Sequence, residues 1–248
     1  MTHALRARGL VCRLGGRTVL DKVDLDVAQG EVLGLLGPNG AGKTSLMRCV
    51  AGLERLEGGR VELDGHAIDG LSVDARARAG LCYLSQQPSV YRALSARRNI
   101  ELTLEIAKPR ESKARRRERA AQLLADFGLE AVAEQRGSTL SGGERRRLEL
   151  ARLLSTDPRV ALLDEPLAGL DPIASRDLAR EIKKLRTAGV AVLLSDHDVG
   201  QALTICDRAC ILAAGVVVAS GTPREVAADD RARRLFFGQN ANWEQVWA

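Results

Sequence analysis

The chain has 248 residues, with 37 Lys and Arg against 32 Asp and Glu, a formal net charge of +5 and 45% hydrophobic residues. That mix excludes a disordered chain, and the length supports one large domain, or a main domain with a small lobe, that buries its core without staples. No apolar run reaches the ~18 residues of a membrane span, and the opening stretch MTHALRARGL lacks the apolar segment of a secretory signal.

Taken in chain order, residues 5–12 and 17–27 alternate as strands about the turn Leu14-Gly15-Gly16-Arg17. Glu31–Leu36 is a short apolar strand that runs into a glycine-rich loop, and a helix is predicted from Lys43 to about Ala51. Val61–Leu63 and Leu81–Leu84 read as strands. Residues 95–128 read as mostly helical, broken by Pro109, with Ser95 as N-cap and Leu123, Leu124 and Phe127 on one apolar stripe. A helix over Ser141–Ser155, a buried strand at Val160–Leu163, a helix over Ile173–Ala188, a strand at Val190–Ser195 and a helix over Val199–Cys206 follow. Residues 209–220 read as a hairpin turning at Ala214-Gly215. Strands alternating with helices predict an α/β layered fold around a mostly parallel sheet.

The segment Gly37-Pro38-Asn39-Gly40-Ala41-Gly42-Lys43-Thr44 fits GxxxxGK[ST] between a predicted strand and a predicted helix, with Ser45 next in the chain. Its glycines let backbone N–H groups turn inward around phosphates. Lys43 supplies a point charge for the β- and γ-phosphates, and the Thr44 hydroxyl can ligate Mg²⁺. The helix N-terminus adds its dipole. Downstream, the apolar strand Val160-Ala-Leu-Leu ends in Asp164-Glu165-Pro166. Asp164 can hold Mg²⁺ through its water shell, and Glu165 then stands where a general base would polarise an attacking water.

Many nucleotide hydrolases share those two motifs, and Leu140-Ser141-Gly142-Gly143-Glu144 is more selective. A Ser-Gly-Gly turn opening a helix is a further anion site. With Gln86 at a strand end, Leu167-Ala-Gly-Leu-Asp171, and His197 after the strand Val190–Ser195, the motifs stand in the order of the ATP-binding-cassette (ABC) ATPases, which the chain resembles over almost its full length. The resemblance implies an α/β P-loop ATPase fold with a mostly parallel core sheet, an antiparallel β subdomain and a helical signature subdomain. On that pattern 1–86 and 157–220 form the core with the β subdomain, 87–156 the helical subdomain and 221–248 a C-terminal helical tail.

The resemblance also implies roles. Two chains would form a head-to-tail homodimer around two ATP·Mg²⁺. Ser141 and Gly143 would face the partner's γ-phosphate, with Gly142 and Glu144 in the same turn, and Asp171 would couple the two sites. His197 would contact the γ-phosphate and hold the attacking water with Glu165, while Gln86 would sense Mg²⁺ and water. One departure is that Leu14 stands where the family usually carries an adenine-stacking aromatic. No aromatic precedes Tyr83, so adenine is expected to rest on aliphatic surface, on Arg13 or Arg17, or on a partner's group, and base discrimination is expected to be loose.

Finer stretches, including Tyr83–Ser95, Asn99-Ile100, Ser141–Glu149, Leu170–Ala174 and Ile205-Cys-Asp-Arg208, are similar to the lipopolysaccharide-export ATPases. That likeness implies a subunit peripheral on the cytoplasmic face of the inner membrane, with integral membrane permease subunits docking near Val90, Tyr91, Arg92 and Leu94. Ser85, where Pro is usual, and the added Pro88 depart from it. Branched-chain amino-acid importer ATPases and the soluble iron–sulfur-assembly ATPase remain alternatives. No nucleic-acid partner is expected, because the basic run 113–119 comes with no binding motif and reads as a solvated helix face. The five cysteines (12, 49, 82, 206, 210) are an odd set with no CxxC pair and read as reduced thiols, not as a disulfide framework or zinc site. Of the two Trp, two Tyr and three Phe, Phe236, Phe237, Trp243 and Trp247 cluster at the end of the sequence. The two Phe are expected to pack a terminal helix, and the two Trp to seal the dimer or meet a partner.

Overall fold

The structure is a computed structural model, and it describes residues 3–236. The chain opens with β1 (His3–Leu14) and β2 (Arg17–Ala28), paired antiparallel about Gly15-Gly16. Both glycines have positive φ, the conformation that a two-residue hairpin turn needs. Then come β3 (Val32–Leu36), α1 (Lys43–Ala51), β4 (Gly58–Leu63), the short β5 (His66–Ala67), α2 (Val73–Arg78) and β6 (Leu81–Leu84). Three helices follow: α3 (Ala96–Ala107), α4 (Lys113–Asp126) and α5 (Gly142–Leu154). The last part alternates again through β7 (Val160–Asp164), α6 (Pro172–Thr187), β8 (Ala191–Asp196) and α7 (Val199–Leu203). It finishes with β9 (Arg208–Ala213), β10 (Val216–Gly221), α8 (Pro223–Ala228) and α9 (Asp230–Phe236).

Two sheets organise these elements. The larger has the order β10-β9-β3-β8-β7-β6, parallel throughout except for the antiparallel edge strand β10. The smaller, β2-β1-β4-β5, is antiparallel. Because side chains alternate across a strand, the short apolar strands of the parallel sheet feed two cores. Val32 and Leu36, Ala161 and Leu163, and Val192 and Leu194 face the helical core with Ile100, Leu123, Leu124, Phe127 and Leu148. Leu33 and Leu35, Val160 and Leu162, and Ala191 and Leu193 face the other core, filled by α1 and the antiparallel sheet. Each fully buried Leu of this kind stabilises the fold by roughly 1.5–3 kcal/mol, so both faces of the central sheet are anchored.

Most boundaries match the sequence expectation, and the exceptions have local causes. Ser95 caps α3 as expected, its side chain accepting from the Arg98 N–H, and Ser112 caps α4 after the Pro109 break. The helix expected over Val199–Cys206 stops at Leu203. There the Asp207 N–H donates to the Val32 carbonyl, and the Asp207 carboxylate accepts from the Val32 N–H at 2.9 Å, pulling the chain into the sheet. The six-residue α2 shows too few turns to leave a period in the sequence. Phe237, Trp243 and Trp247 lie outside the described residues.

Candidate functional site

In a parallel sheet the loops at the carboxyl ends of the strands are the usual place for ligands. Here β3 runs into the 37–42 loop, β6 into Gln86, β7 ends at Asp164 and β8 at Asp196. The pairing aligns these ends, with Leu36 opposite Asp196 and Asp164 opposite Ser195. Lys43, Gln86, Glu165 and His197, taken from four separate motifs, line one cavity of about 500 Å³. Asn39, Gly40, Ala41, Gly42, Thr44 and Ser45 complete its floor, and Val19 of β2 forms one wall.

The loop takes its shape from glycines in two places where nothing larger fits. A Cβ on Gly37 would lie 2.3 Å from the Leu212 carbonyl oxygen, and one on Gly42, at φ 107°, would lie 2.7 Å from the Val19 carbonyl oxygen. Gly42 stands at the N-cap position of α1, leaving the first N–H groups of that helix free for an anion. Lys43 is buried and donates from Nζ to the Gly37 and Pro38 carbonyls at 2.7 and 3.1 Å. Burial pushes its pKa down, against the opposing pull of Glu165, Asp164 and Asp196.

The carboxylates are held from several strands. Asp164 is buried, and Ser195 Oγ donates to its Oδ1 at 2.6 Å while Tyr83 Oη donates to its Oδ2 at 3.0 Å. Thr44 Oγ1 lies 3.3 Å from the same Oδ1. Hydroxyl and carboxylate oxygens side by side form the hard donor set that suits Mg²⁺. Glu165 adopts φ 45°, a left-handed conformation uncommon outside glycine. Its N–H is pinned by Ser195, carbonyl and Oγ both at 3.1 Å. This turn aims the Glu165 carboxylate into the cavity, where Oε2 accepts from Gln86 Nε2 at 3.0 Å and lies 3.4 Å from His197 Nδ1. Burial also pushes the Asp196 carboxyl up.

Ser141, Gly142, Gly143, Glu144 and Asp171 are not among the residues that line this cavity. Ser141 caps α5 in a reciprocal capping box with Glu144, and Asp171 caps α6, accepting from the Ile173 and Ala174 N–H groups at 2.9 Å. Gly143 packs against α6, where a Cβ would come 3.1 Å from that of Ala174. In the segment after Gln86, Val90 is buried, Tyr91 and Arg92 are exposed and Leu94 is half-buried. Arg152 stacks its guanidinium 4.6 Å above the Tyr91 ring. Leu14 is 41% exposed at the hairpin turn and is not a lining residue of the cavity, which meets β2 at Val19 instead.

Four supporting residues escaped the sequence reading. Tyr83 and Ser195 reach Asp164 from neighbouring strands, contacts that no linear motif records. Arg146 and Glu149 form a buried ion pair at 2.7 Å on α5. Arg146 donates to the Pro166 carbonyl at 3.0 Å, to Ser85 at 3.2 Å, to Glu165 at 3.2 Å and to Gln86 at 3.4 Å. The helix that begins with the Ser-Gly-Gly turn is thereby tied to the backbone of both cavity-lining segments.

Comparison with known proteins agrees with this arrangement. Residues 20–168 match the family model described as ABC transporter. The chain is 44% identical over 236 residues to a probable ABC transporter ATP-binding protein of Azorhizobium caulinodans, covering 95% of this chain and 83% of the relative. It is 44% identical to the lipopolysaccharide export system ATP-binding protein LptB of Acidithiobacillus ferridurans, covering 96% of this chain and 98% of that protein. To LptB of Escherichia coli it is 42% identical, covering 95% and 98%. Among solved structures, the ADP conformation of MJ1267, an ATP-binding cassette of an ABC transporter, superposes with a TM-score of 0.86 at 25% identity over 96% of this chain and 100% of that one. A dimeric post-hydrolysis state of the cassette MJ0796 bound to ADP and Pi gives 0.78 at 26% identity, over 89% and 99%. With its motifs in family order, its phosphate loop and acidic strand end sharing one cavity and its sequence matched across nearly the whole chain, this protein belongs to the ABC transporter family as an ATP-binding subunit.

Proposed function

We propose that this chain is the ATPase that powers lipopolysaccharide export, acting as a head-to-tail homodimer on integral membrane subunits that dock over the segment holding Val90, Tyr91, Arg92 and Leu94. The observation that carries the substrate is the 42–44% identity to lipopolysaccharide-export ATP-binding proteins over 95% or more of the chain. Among the described residues no helix is long and apolar enough to cross a membrane.

In this reading Lys43 and the N-terminus of α1 hold the phosphates. Thr44 and Asp164 would hold Mg²⁺, with Gln86 beside them, and the ion when bound neutralises charge on the phosphate oxygens. Glu165 takes the proton of the attacking water, and His197 orients that water and the γ-phosphate. The site is incomplete within one chain, because Ser141, Gly143 and Asp171 stand outside the cavity, and this supports their service to a second copy.

Mixing two inactive variants tests the dimer. Lys43→Ala and Ser141→Arg should each abolish hydrolysis alone. A head-to-tail heterodimer rebuilds one intact site, from the phosphate loop of the second and the signature turn of the first, so the mixture should regain ATPase activity. A mixture as inactive as its components would place the whole site within one chain. The docking surface is checked separately, with a photocrosslinker at exposed Tyr91 in membranes. Crosslinks to an integral membrane subunit of lipopolysaccharide export are expected, and crosslinks to an amino-acid permease would reassign the cargo.

A further inference from the structure

On the far side of α1 from the phosphate cavity, the fold gathers three side chains whose sequence spacing fits no ligand motif. Cys12 lies on β1, Cys49 near the end of α1 and Glu54 just beyond it, and one ligand atom from each lies within 4.8 Å of the other two. Both cysteines are fully buried. Glu54, with a side chain 15% exposed, accepts at Oε1 from Arg48 Nε at 2.6 Å. Its other oxygen, Oε2, is buried and finds no hydrogen-bond partner among the described residues. A buried carboxylate oxygen without a donor is costly and calls for a missing partner.

There is also space for one. A cavity of about 590 Å³ opens beside this cluster and is lined by Cys49, Glu54, Asp69 and Arg76. Burial pushes the Cys49 thiol up, and the facing Cys12 thiol pushes it the same way.

We propose that Cys12, Cys49 and Glu54 bind a thiophilic divalent cation, Zn²⁺, as three protein ligands, with water from the adjoining cavity in the fourth position. Zn–S bonds of ~2.3 Å in a tetrahedron place two sulfurs about 3.8 Å apart, a spacing inside the 4.8 Å that bounds the ligand atoms of this cluster. The charges balance: two thiolates and a carboxylate stand against the ion and the Arg48 guanidinium. Both thiol protons leave to solvent on binding. Two sulfur donors select against Mg²⁺, which demands oxygen ligands, so this site and the phosphate site take different ions. The ion would clip β1 to the end of the helix whose start carries Lys43 and Thr44.

The test is a Zn²⁺ titration of the full-length, nucleotide-free, reduced protein in excess Mg²⁺, which occupies oxygen-donor sites. One equivalent of Zn²⁺ retained per chain is expected, with thiolate-to-metal charge-transfer absorption when Co²⁺ replaces it. In the wild-type protein, probed in a mild denaturant that admits the reagent to buried thiols, Zn²⁺ should slow alkylation of Cys12 and Cys49 relative to the zinc-free protein, read by mass spectrometry, and leave the rate at Cys82 unchanged. Cys12→Ser, Cys49→Ser and Glu54→Gln should each weaken binding by more than the roughly 10–100-fold that loss of a merely supporting contact costs, and Cys82→Ala should not weaken it. No retained equivalent, displacement of Zn²⁺ by Mg²⁺, or unchanged alkylation of Cys12 and Cys49 would overturn the proposal. The alkylation result stands even where a cysteine variant fails to fold.

Discussion

Glu165→Gln should lower ATP turnover by about 10²–10⁴-fold while leaving ATP binding intact, and should trap a nucleotide-bound dimer. The amide keeps the shape of the side chain and can still meet Gln86, which now donates to Oε2 at 3.0 Å. It cannot take a proton from water. The backbone around it should hold, because the φ 45° turn is fixed by the Glu165 N–H on Ser195 and by the Arg146 contact to the Glu165 carbonyl. Loss of activity then reports chemistry and not collapse of the site. Two measurements separate the possibilities: ATPase rate, and dimer content by size-exclusion chromatography with ATP·Mg²⁺. Wild-type turnover in the variant would remove Glu165 from the base role. A slow variant that stays monomeric with ATP would leave the base role standing and count against closure of two chains around the nucleotide.

How much of this site the sequence announced depends on how local each contact is. The phosphate loop was legible because Gly37 through Thr44 are contiguous and the same short run both shapes the loop and supplies its charge. Asp164 and Glu165 were legible because a buried apolar strand has little reason to end in two carboxylates. The inner strands β3, β7 and β8 were legible as short apolar runs, and the structure shows why they are apolar on both faces: each alternates between two cores instead of between core and water. Ser195 and Tyr83 were not legible, since their hydrogen bonds to Asp164 cross between strands 81 or 31 positions apart in the chain. The Cys12, Cys49 and Glu54 cluster was hidden for the same reason, because spacing rules read only ligands that are close in sequence. The end of α7 was misplaced because the signal that stops it, Asp207 on Val32, lies across the sheet. Within Arg145-Arg146-Arg147 the sequence offers three equal charges, and helical geometry turns only one of them into the buried network.

That one residue carries the second large effect. Arg146→Ala should destabilise the protein by about 3–5 kcal/mol, because it leaves Glu149 buried without its counter-charge. For a chain of this size that corresponds to a fall in melting temperature of roughly 6–20 °C. Glu149 Oε1 already accepts from the Ser89 N–H and, at 3.2 Å, from Ser89 Oγ, so the carboxylate cannot turn away to water when Arg146 goes. Removing both partners should cost less than removing Arg146 alone. In Arg146→Ala/Glu149→Met the uncompensated charge disappears and an apolar side chain fills part of the space, so part of the melting temperature should return. Catalysis should not return with it, because the carbonyls of Ser85, Gln86, Glu165 and Pro166 would still lack the guanidinium that spans them. Arg146→Lys separates the same two effects from the other side. It keeps a positive charge against Glu149, yet a single ammonium cannot reproduce the planar fork that reaches several acceptors at once. Its stability should therefore lie near wild type, with a reduced kcat and a nearly unchanged KM for ATP, since Lys43 and the phosphate loop are untouched. A Lys variant with full kcat would confine Arg146 to holding the helix in place; a variant with low kcat and wild-type stability makes it the link through which the signature helix sets the positions of Gln86 and Glu165.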